Sequence, residues 1–201
     1  MTELVLFDFG GVVLRTPFEL FDGDPPFHGP FAPERDELWR ASMAGTITER
    51  EYWHLQAARL HPGADDPTYA LMRQLYETDE ARLVRPELLD LLDDLAADGR
   101  RLAVLTNDLQ AFHGEAWVRR ITVLQRFEEV IDLSHIGFLK PAPEAFEHAL
   151  KVCDLGPHQV LFVDDQPRNV AGAEARGIRS VHFDPTDVAG SVAAIRVMVR
   201  S

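Results

Sequence analysis

The chain has 201 residues, 46% of them apolar, and its 33 acidic side chains outnumber 20 basic ones to leave a net charge of −13. That is enough chain and enough apolar material to bury one compact core with room for an insert, which excludes disorder as a class. The basic residues are scattered singly or as the pairs Arg100–Arg101 and Arg119–Arg120, so the carboxylate excess disfavours both nucleic acid and a membrane as partners.

The first element in chain order is Leu4–Phe9, a short apolar run of strand composition. No basic segment precedes it, and no run reaches the 18 or so apolar residues of a membrane span, so neither a targeting segment nor an anchor is expected. The interval 16–85 offers no convincing strand. Its first part, Pro17 to Pro33, holds five prolines, two glycines and Phe18, Phe21, Phe27 and Phe31; it cannot be the interior of a regular element and reads as a loop, one able to serve as a lid. Helices are expected over Pro33–Ala44, Thr48–Leu60 and Pro67–Thr78, the second opened by Thr48 and Glu51 at capping-box spacing.

Beyond residue 85 the pattern alternates. Pro86–Gly99 has Pro in the first turn and Gly at the end, as a helix does when it leads into a strand. Strand-like runs follow at Leu102–Thr106, Val130–Leu133, Val160–Val163 and Ser180–Phe183, with helices at Ala142–Val152, Val170–Arg176 and Val188–Val199. In the last of these Val188, Val192, Ile195 and Val199 share one face. Strands alternating with helices predict an α/β fold, a doubly wound, Rossmann-like parallel sheet covered on both sides. Residues 1–15 and 86–201 would form this core, and 16–85 a small helical domain inserted into it. A single cysteine, Cys153, excludes an internal disulfide or a multi-cysteine zinc site and suits a reducing, cytoplasmic setting. The sequence points to nothing beyond a monomer or homodimer.

Ligands of an open parallel sheet bind beyond the carboxyl ends of the strands. The first run ends at Asp8-Phe9-Gly10-Gly11, the second at Thr106-Asn107-Asp108, the third is followed by Lys140-Pro141, and the fourth ends at Asp164-Asp165. Each residue type has a task if the substrate is a phosphoryl group. A strand-end Asp can attack phosphorus when a cation offsets the repulsion between anions. Asp8, Asp164 and Asp165 suit Mg²⁺, a hard ion that takes carboxylate and backbone oxygens. The Thr106 hydroxyl could bind the transferring oxygens, and Lys140, one of only two lysines in the chain, would supply a fixed positive charge.

The ordered set Asp8, Thr106-Asn107, Lys140-Pro141, Asp164-Asp165 resembles the four motifs of the haloacid dehalogenase-like hydrolases, and it spans nearly the whole chain. The resemblance implies a helical cap at 16–85, with the reaction in a cleft between core and cap. It makes Asp8 the nucleophile and a Mg²⁺ ligand, the Gly10 carbonyl a second ligand, Thr106 and Asn107 phosphate contacts, and Lys140 a charge clamp. Asp165 would be the direct ligand of the fourth motif, with Asp164 and Asn169 in support; Asn169 serves equally well as a helix cap. The implied activity is Mg²⁺-dependent hydrolysis of a small phosphorylated metabolite, such as a sugar phosphate, through an aspartyl-phosphate on Asp8.

One departure from the family pattern stands out. Phosphatases of this family usually carry a second Asp two residues after the nucleophile, as general acid and base; here that position is Gly10. Three readings stay open: a leaving group that needs little protonation, a substitute such as Asp108, His113 or a cap residue, or a phosphate-binding protein without turnover. Some sugar-phosphate phosphatases of the family carry a similar Asp-x-Gly motif. Dehalogenases fit less well, since they have Tyr at position 10 and use an Arg for the halide. His54, His113 and His182 read as surface or packing residues, and Trp39, Tyr52, Trp53 and Trp117 as core.

Overall fold

The computed structural model describes residues 2–200. In chain order the elements are β1 (Leu4–Phe7), α1 (Pro17–Leu20), α2 (Glu37–Met43), α3 (Glu49–Leu60), α4 (Pro67–Tyr76), α5 (Glu80–Leu83), α6 (Pro86–Ala97), β2 (Arg101–Thr106), α7 (Leu109–His113), α8 (Glu115–Arg120), β3 (Glu129–Asp132), α9 (Pro143–Cys153), β4 (Val160–Asp164), α10 (Pro167–Glu174), β5 (Arg179–His182) and α11 (Val188–Arg200). The chain divides into two compact units, Met1–Arg15 with Glu80–Ser201, and Thr16–Asp79. Among the described residues no helix is long and apolar enough to cross a membrane.

In the first unit all strand pairs are parallel, in the order β3-β2-β1-β4-β5, which is the predicted α/β architecture. Period-two alternation splits the strand residues between two faces. Leu4, Leu6, Ala103, Leu105, Ile131, Val160 and Phe162 share one buried cluster with Ala145, Phe146, Ala149 and Cys153 of α9. The alternate residues Val5, Phe7, Leu102, Val104, Leu161 and Val163 are buried as well, while α6 packs on β2 and α11 on β5 and α6. A central strand buried on both faces explains why Leu4–Phe7 reads as a continuous apolar run.

β1 stops two residues short of its expected end at Phe9. The Asp8 carboxylate accepts the Phe9 N–H at 2.7 Å, and the chain turns through Phe9–Val13 to a Leu14 N–H bond on the Phe9 carbonyl. Residues 80–85 group with the first unit. The Arg15 N–H bonds the Leu83 carbonyl, the Arg85 N–H bonds the Val13 carbonyl, and Glu80 accepts from Thr122 and Val123. Arg85 is wholly buried, with Nη2 on the Gly11 carbonyl at 3.2 Å and the guanidinium over the Phe183 ring. Between β2 and β3, where the sequence predicts no helix, lie α7 and α8, too short to show a period.

The second unit is helical. Thr48 and Glu51 form the expected capping box of α3. The Pro17–Pro33 stretch is more ordered than a loop, because Glu19 accepts from both the Thr16 N–H and hydroxyl and Pro17 suits the first position of the turn that becomes α1. The helix expected over Pro33–Ala44 is interrupted at Asp36, which caps α2 through Trp39 N. Phe18 lies at the centre of an aromatic core, with ring centroids of Phe27, Trp39 and Trp53 at 5.0–5.7 Å. Gly29 has a φ of +52° and passes directly beneath the Phe18 ring, where a Cβ would collide. Such ring pairs add about 0.5–1.5 kcal/mol each beyond area burial, a useful supplement for so small a core.

Candidate active site

The parallel register sets the site. Phe7 pairs with Val104 on one side and Val163 on the other, so Asp8 and Asp164 leave adjacent strands at the same level and Thr106 stands slightly beyond. Lys140, on the loop between β3 and α9, reaches back between them. Its Nζ donates to Asp164 Oδ2 at 2.7 Å and to the Leu105 carbonyl at 2.7 Å, and lies 2.9 Å from Asp8 Oδ1. The Lys140 side chain is 1% exposed, and all three ammonium hydrogens have an acceptor. Burial alone would lower its pKa; Asp164 and Asp8 outweigh that and hold the group above the ordinary lysine value.

Asp164 is fully buried. It accepts from Lys140, from Gln166 N at 2.8 Å and from Asn169 Nδ2 at 3.1 Å on both oxygens. Asn169 therefore supports Asp164, while its own Oδ1 is buried without a partner among the described residues. Asp165 is the more exposed of the pair, and its carbonyl oxygen sits 3.0 Å from His182 Nε2. Asp8, Asp164 and Asp165 each offer an oxygen within 4.8 Å of the others. Three carboxylates against one ammonium leave two formal negative charges, and the donors are hard oxygens, a set that suits a divalent cation of the Mg²⁺ type. The orphan Asn169 oxygen would accept from a water of such an ion.

Asn107 follows Thr106 at the end of β2. Its amide is used twice on the Lys140 backbone, Oδ1 accepting from N at 2.8 Å and Nδ2 donating to O at 3.1 Å, so it anchors the lysine loop to β2. Thr106 is buried at the end of β2, and its carbonyl accepts from Leu133 N. Asp108 begins α7, its carbonyl accepting from Phe112 N at 2.8 Å. His113 stacks on Trp117 with centroids 4.2 Å apart, and burial pushes its pKa down to about 3. It is a neutral packing residue at ordinary pH.

The glycine doublet has two different halves. Gly11 has a φ of +80°, and a Cβ there would drive into the Asp165 carboxylate; only glycine lets the turn pass under the metal-type cluster. Gly10 has ordinary dihedrals, φ −71° and ψ 131°, and a Cβ there meets nothing within 4 Å. Sequence reasoning passed over Gly11, Arg85 and the Leu105 carbonyl. The doublet was the only local sign of the first, and the other two act through partners distant in sequence.

Comparison with known proteins accords with this geometry. A family model for haloacid dehalogenase-like hydrolases matches residues 2–177. A drimenol cyclase of Aspergillus calidoustus is 27% identical over 201 aligned residues, covering 93% of this chain but 35% of the cyclase. A sesquiterpene phosphatase of Aspergillus oryzae is 26% identical over 207 residues, covering 98% of this chain and 96% of that protein. The chain thus spans about a third of the first relative and nearly all of the second. Among solved structures, a putative HAD-hydrolase of Bacillus subtilis described as bound to magnesium aligns with a TM-score of 0.66 at 19% identity, over 92% of this chain and 87% of that one, a likeness of fold.

Proposed function

The chain belongs to the haloacid dehalogenase-like hydrolases, and from that premise we propose that it is a Mg²⁺-dependent phosphatase of small phosphorylated metabolites, sugar phosphates among them, working through an aspartyl-phosphate on Asp8. The observation that carries the reading is the Asp8–Lys140–Asp164 bridge, with Asp165 beside it. The near full-length relative named as a sesquiterpene phosphatase adds support.

In this reading Asp8, the Gly10 carbonyl and Asp165 hold the cation, with Asp164 and Asn169 behind them. The bound ion would offset the repulsion between the Asp8 carboxylate and the anionic substrate. Lys140 fixes the Asp8 carboxylate through Oδ1 and supplies positive charge where negative charge accumulates on the transferring group. Thr106 and Asn107 contact the phosphoryl oxygens, and the Asn107 amide also keeps Lys140 in place. The single cysteine, buried in the core, fits a reducing compartment such as the cytoplasm.

A panel of sugar phosphates, nucleotides and an aryl phosphate, assayed with and without Mg²⁺ for wild type and Asp8→Asn, tests the reading. Mg²⁺-dependent release of phosphate, abolished in Asp8→Asn, is expected; equal activity in the two proteins defeats it. The open position at Gly10 favours one second reading, a phosphate-binding protein without turnover. Binding of beryllium fluoride with Mg²⁺, alongside no turnover on any substrate, would establish that alternative.

A further inference from the structure

Among the described residues Arg85 is the one buried arginine, and it stands outside the four motifs. A buried guanidinium gives up its hydration, so it is tolerated only where fixed partners replace the water. Two of its partners lie next to the residues of the candidate site. Nη2 donates to the Gly11 carbonyl at 3.2 Å, and the guanidinium carbon lies 5.6 Å from the centre of the Phe183 ring. The main chain is held as well: the Arg85 N–H bonds the Val13 carbonyl at 3.1 Å, and Leu14 and Val84 form an antiparallel bridge beside it.

Each of the two contacts leads to a different part of the acidic cluster. The Gly10 carbonyl and the Gly11 nitrogen belong to one planar peptide unit, so a hold on Gly11 constrains the carbonyl that would serve the cation. Gly11 also passes close under Asp165, whose carboxylate occupies the place a Cβ would take. On the other side, the Phe183 N–H donates to the Asp164 carbonyl at 2.9 Å, and His182 before it places Nε2 3.0 Å from the Asp165 carbonyl. One side chain thus spans from the turn after Asp8 to the end of β5, which holds Asp164 and Asp165 by their backbones.

We infer that Arg85 is a positioning residue for the divalent cation: it sets the spacing between the Gly10–Gly11 peptide and the Asp164–Asp165 pair. The inference deepens the reading above and rests on it, since that reading gives the site its Mg²⁺. Arg85 touches neither cation nor substrate in this account; it acts through Gly11 and Phe183. Mg²⁺ demands near-ideal octahedral geometry at about 2.0–2.1 Å, whereas Ca²⁺ accepts about six to eight oxygens at about 2.3–2.6 Å in flexible arrangements. Exact spacing between two ligand segments is therefore worth more to Mg²⁺ than to Ca²⁺. Loss of a group that orients metal ligands from behind typically lowers metal affinity by about 10–100-fold, and here the loss should fall more heavily on the smaller ion.

The test titrates the chelator-treated full chain, without substrate, with Mg²⁺ alone and with Ca²⁺ alone, by calorimetry, for wild type, Arg85→Met and Arg85→Lys. Arg85→Met keeps the apolar stem and removes the fork; Arg85→Lys keeps a charge and a donor but not the planar group that meets carbonyl and ring together. The Mg²⁺ Kd should rise by about 10–100-fold in Arg85→Met, the Ca²⁺ Kd by a smaller factor, and Arg85→Lys should show a smaller loss in the same direction. Mg²⁺ affinity of Arg85→Met within about threefold of wild type, well short of that range, overturns the inference. Equal proportional losses for the two cations also overturn it, since a merely structural role weakens both alike. Should Arg85→Met fail to fold by circular dichroism, Arg85→Lys decides by the same two criteria. Mg²⁺ binding by the wild type without phosphate release from any substrate overturns the phosphatase reading alone, the titrations deciding the inference; a wild type that binds neither cation overturns both.

Discussion

Replacing Lys140 with Met keeps the length of the side chain and removes the one charge that joins Asp8 to Asp164. Asp164 is fully buried and Asp8 nearly so, so the variant strands two carboxylates, and the Leu105 carbonyl loses its ammonium donor as well. Removing one partner of a buried ion pair costs about 3–5 kcal/mol. At roughly 2–4 °C of melting temperature per kcal/mol for a protein of this size, the core should melt about 6–20 °C lower. Circular dichroism melts in chelator-treated buffer measure this without a cation repairing the cluster. A cycle with Asp164→Asn sharpens the test: if the loss comes from stranding charge, the double variant should be less destabilised than the two single losses together, by roughly 0.5–3 kcal/mol. A single-variant loss under about 1 kcal/mol, or simple additivity, would refute the view that this bridge holds the site together.

Three further outcomes follow from the geometry. Gly11→Ala should cost roughly 1–2 kcal/mol for its left-handed backbone, plus the clash with Asp165, whereas Gly10→Ala should be neutral or gain up to about 1 kcal/mol; equal denaturant midpoints for the two would contradict the assignment. Asp36→Ala removes the cap of α2 and leaves the buried Tyr52 hydroxyl without its 2.7 Å partner, so the helical unit should lose about 2–4 kcal/mol, part of it recovered by adding Tyr52→Phe. His113 sits at about 3 when folded against 6.5 when exposed, so its contribution is fully present above pH 6.5 and lost as the pH falls toward 3. His113→Phe should therefore show a shallower decline of stability between pH 7 and 4 than wild type, and identical slopes would count against the burial argument.

The sheet could be read from the sequence because its signals are local. Leu4–Phe7, Leu102–Thr106 and Val160–Val163 are short apolar runs whose polar ends coincide with strand ends, and their register carries Asp8, Thr106 and Asp164 to one edge without further information. What escaped reading depends on partners far along the chain. Asp36 looks like an ordinary helix-start residue, yet it is buried and accepts from His28 N, Gly29 N, Tyr52 and Gln56; burial would raise its pKa, and the hydrogen bonds from Tyr52, Gly29, His28 and Trp39 lower it overall. Arg85 carries no local sign of its burial, and the Gly11 carbonyl and the Phe183 ring that help to make that burial tolerable lie far along the chain. Pro17–Leu20 was hidden for the opposite reason: the surrounding proline and glycine density concealed a two-residue signal, Thr16 with Glu19. Asn107 shows a third limit, since its motif position gave no sign that its amide would also hold the Lys140 backbone.

The strand order has a consequence for how the chain is made. β1 lies at the middle of the sheet, yet it is the earliest synthesised of the five strands, and its neighbours β2 and β4 begin only at Arg101 and Val160. At roughly 5–20 residues per second on the ribosome, about 8–30 s pass before the second of them emerges. In the second half of that interval the contiguous unit Thr16–Asp79 is complete while the apolar strand β1 still lacks its β4 neighbour. Nascent chains between those two points carry a finished helical body tethered to an unfinished sheet, and that is the window in which chaperone contact should be sought and in which a stalled product would aggregate.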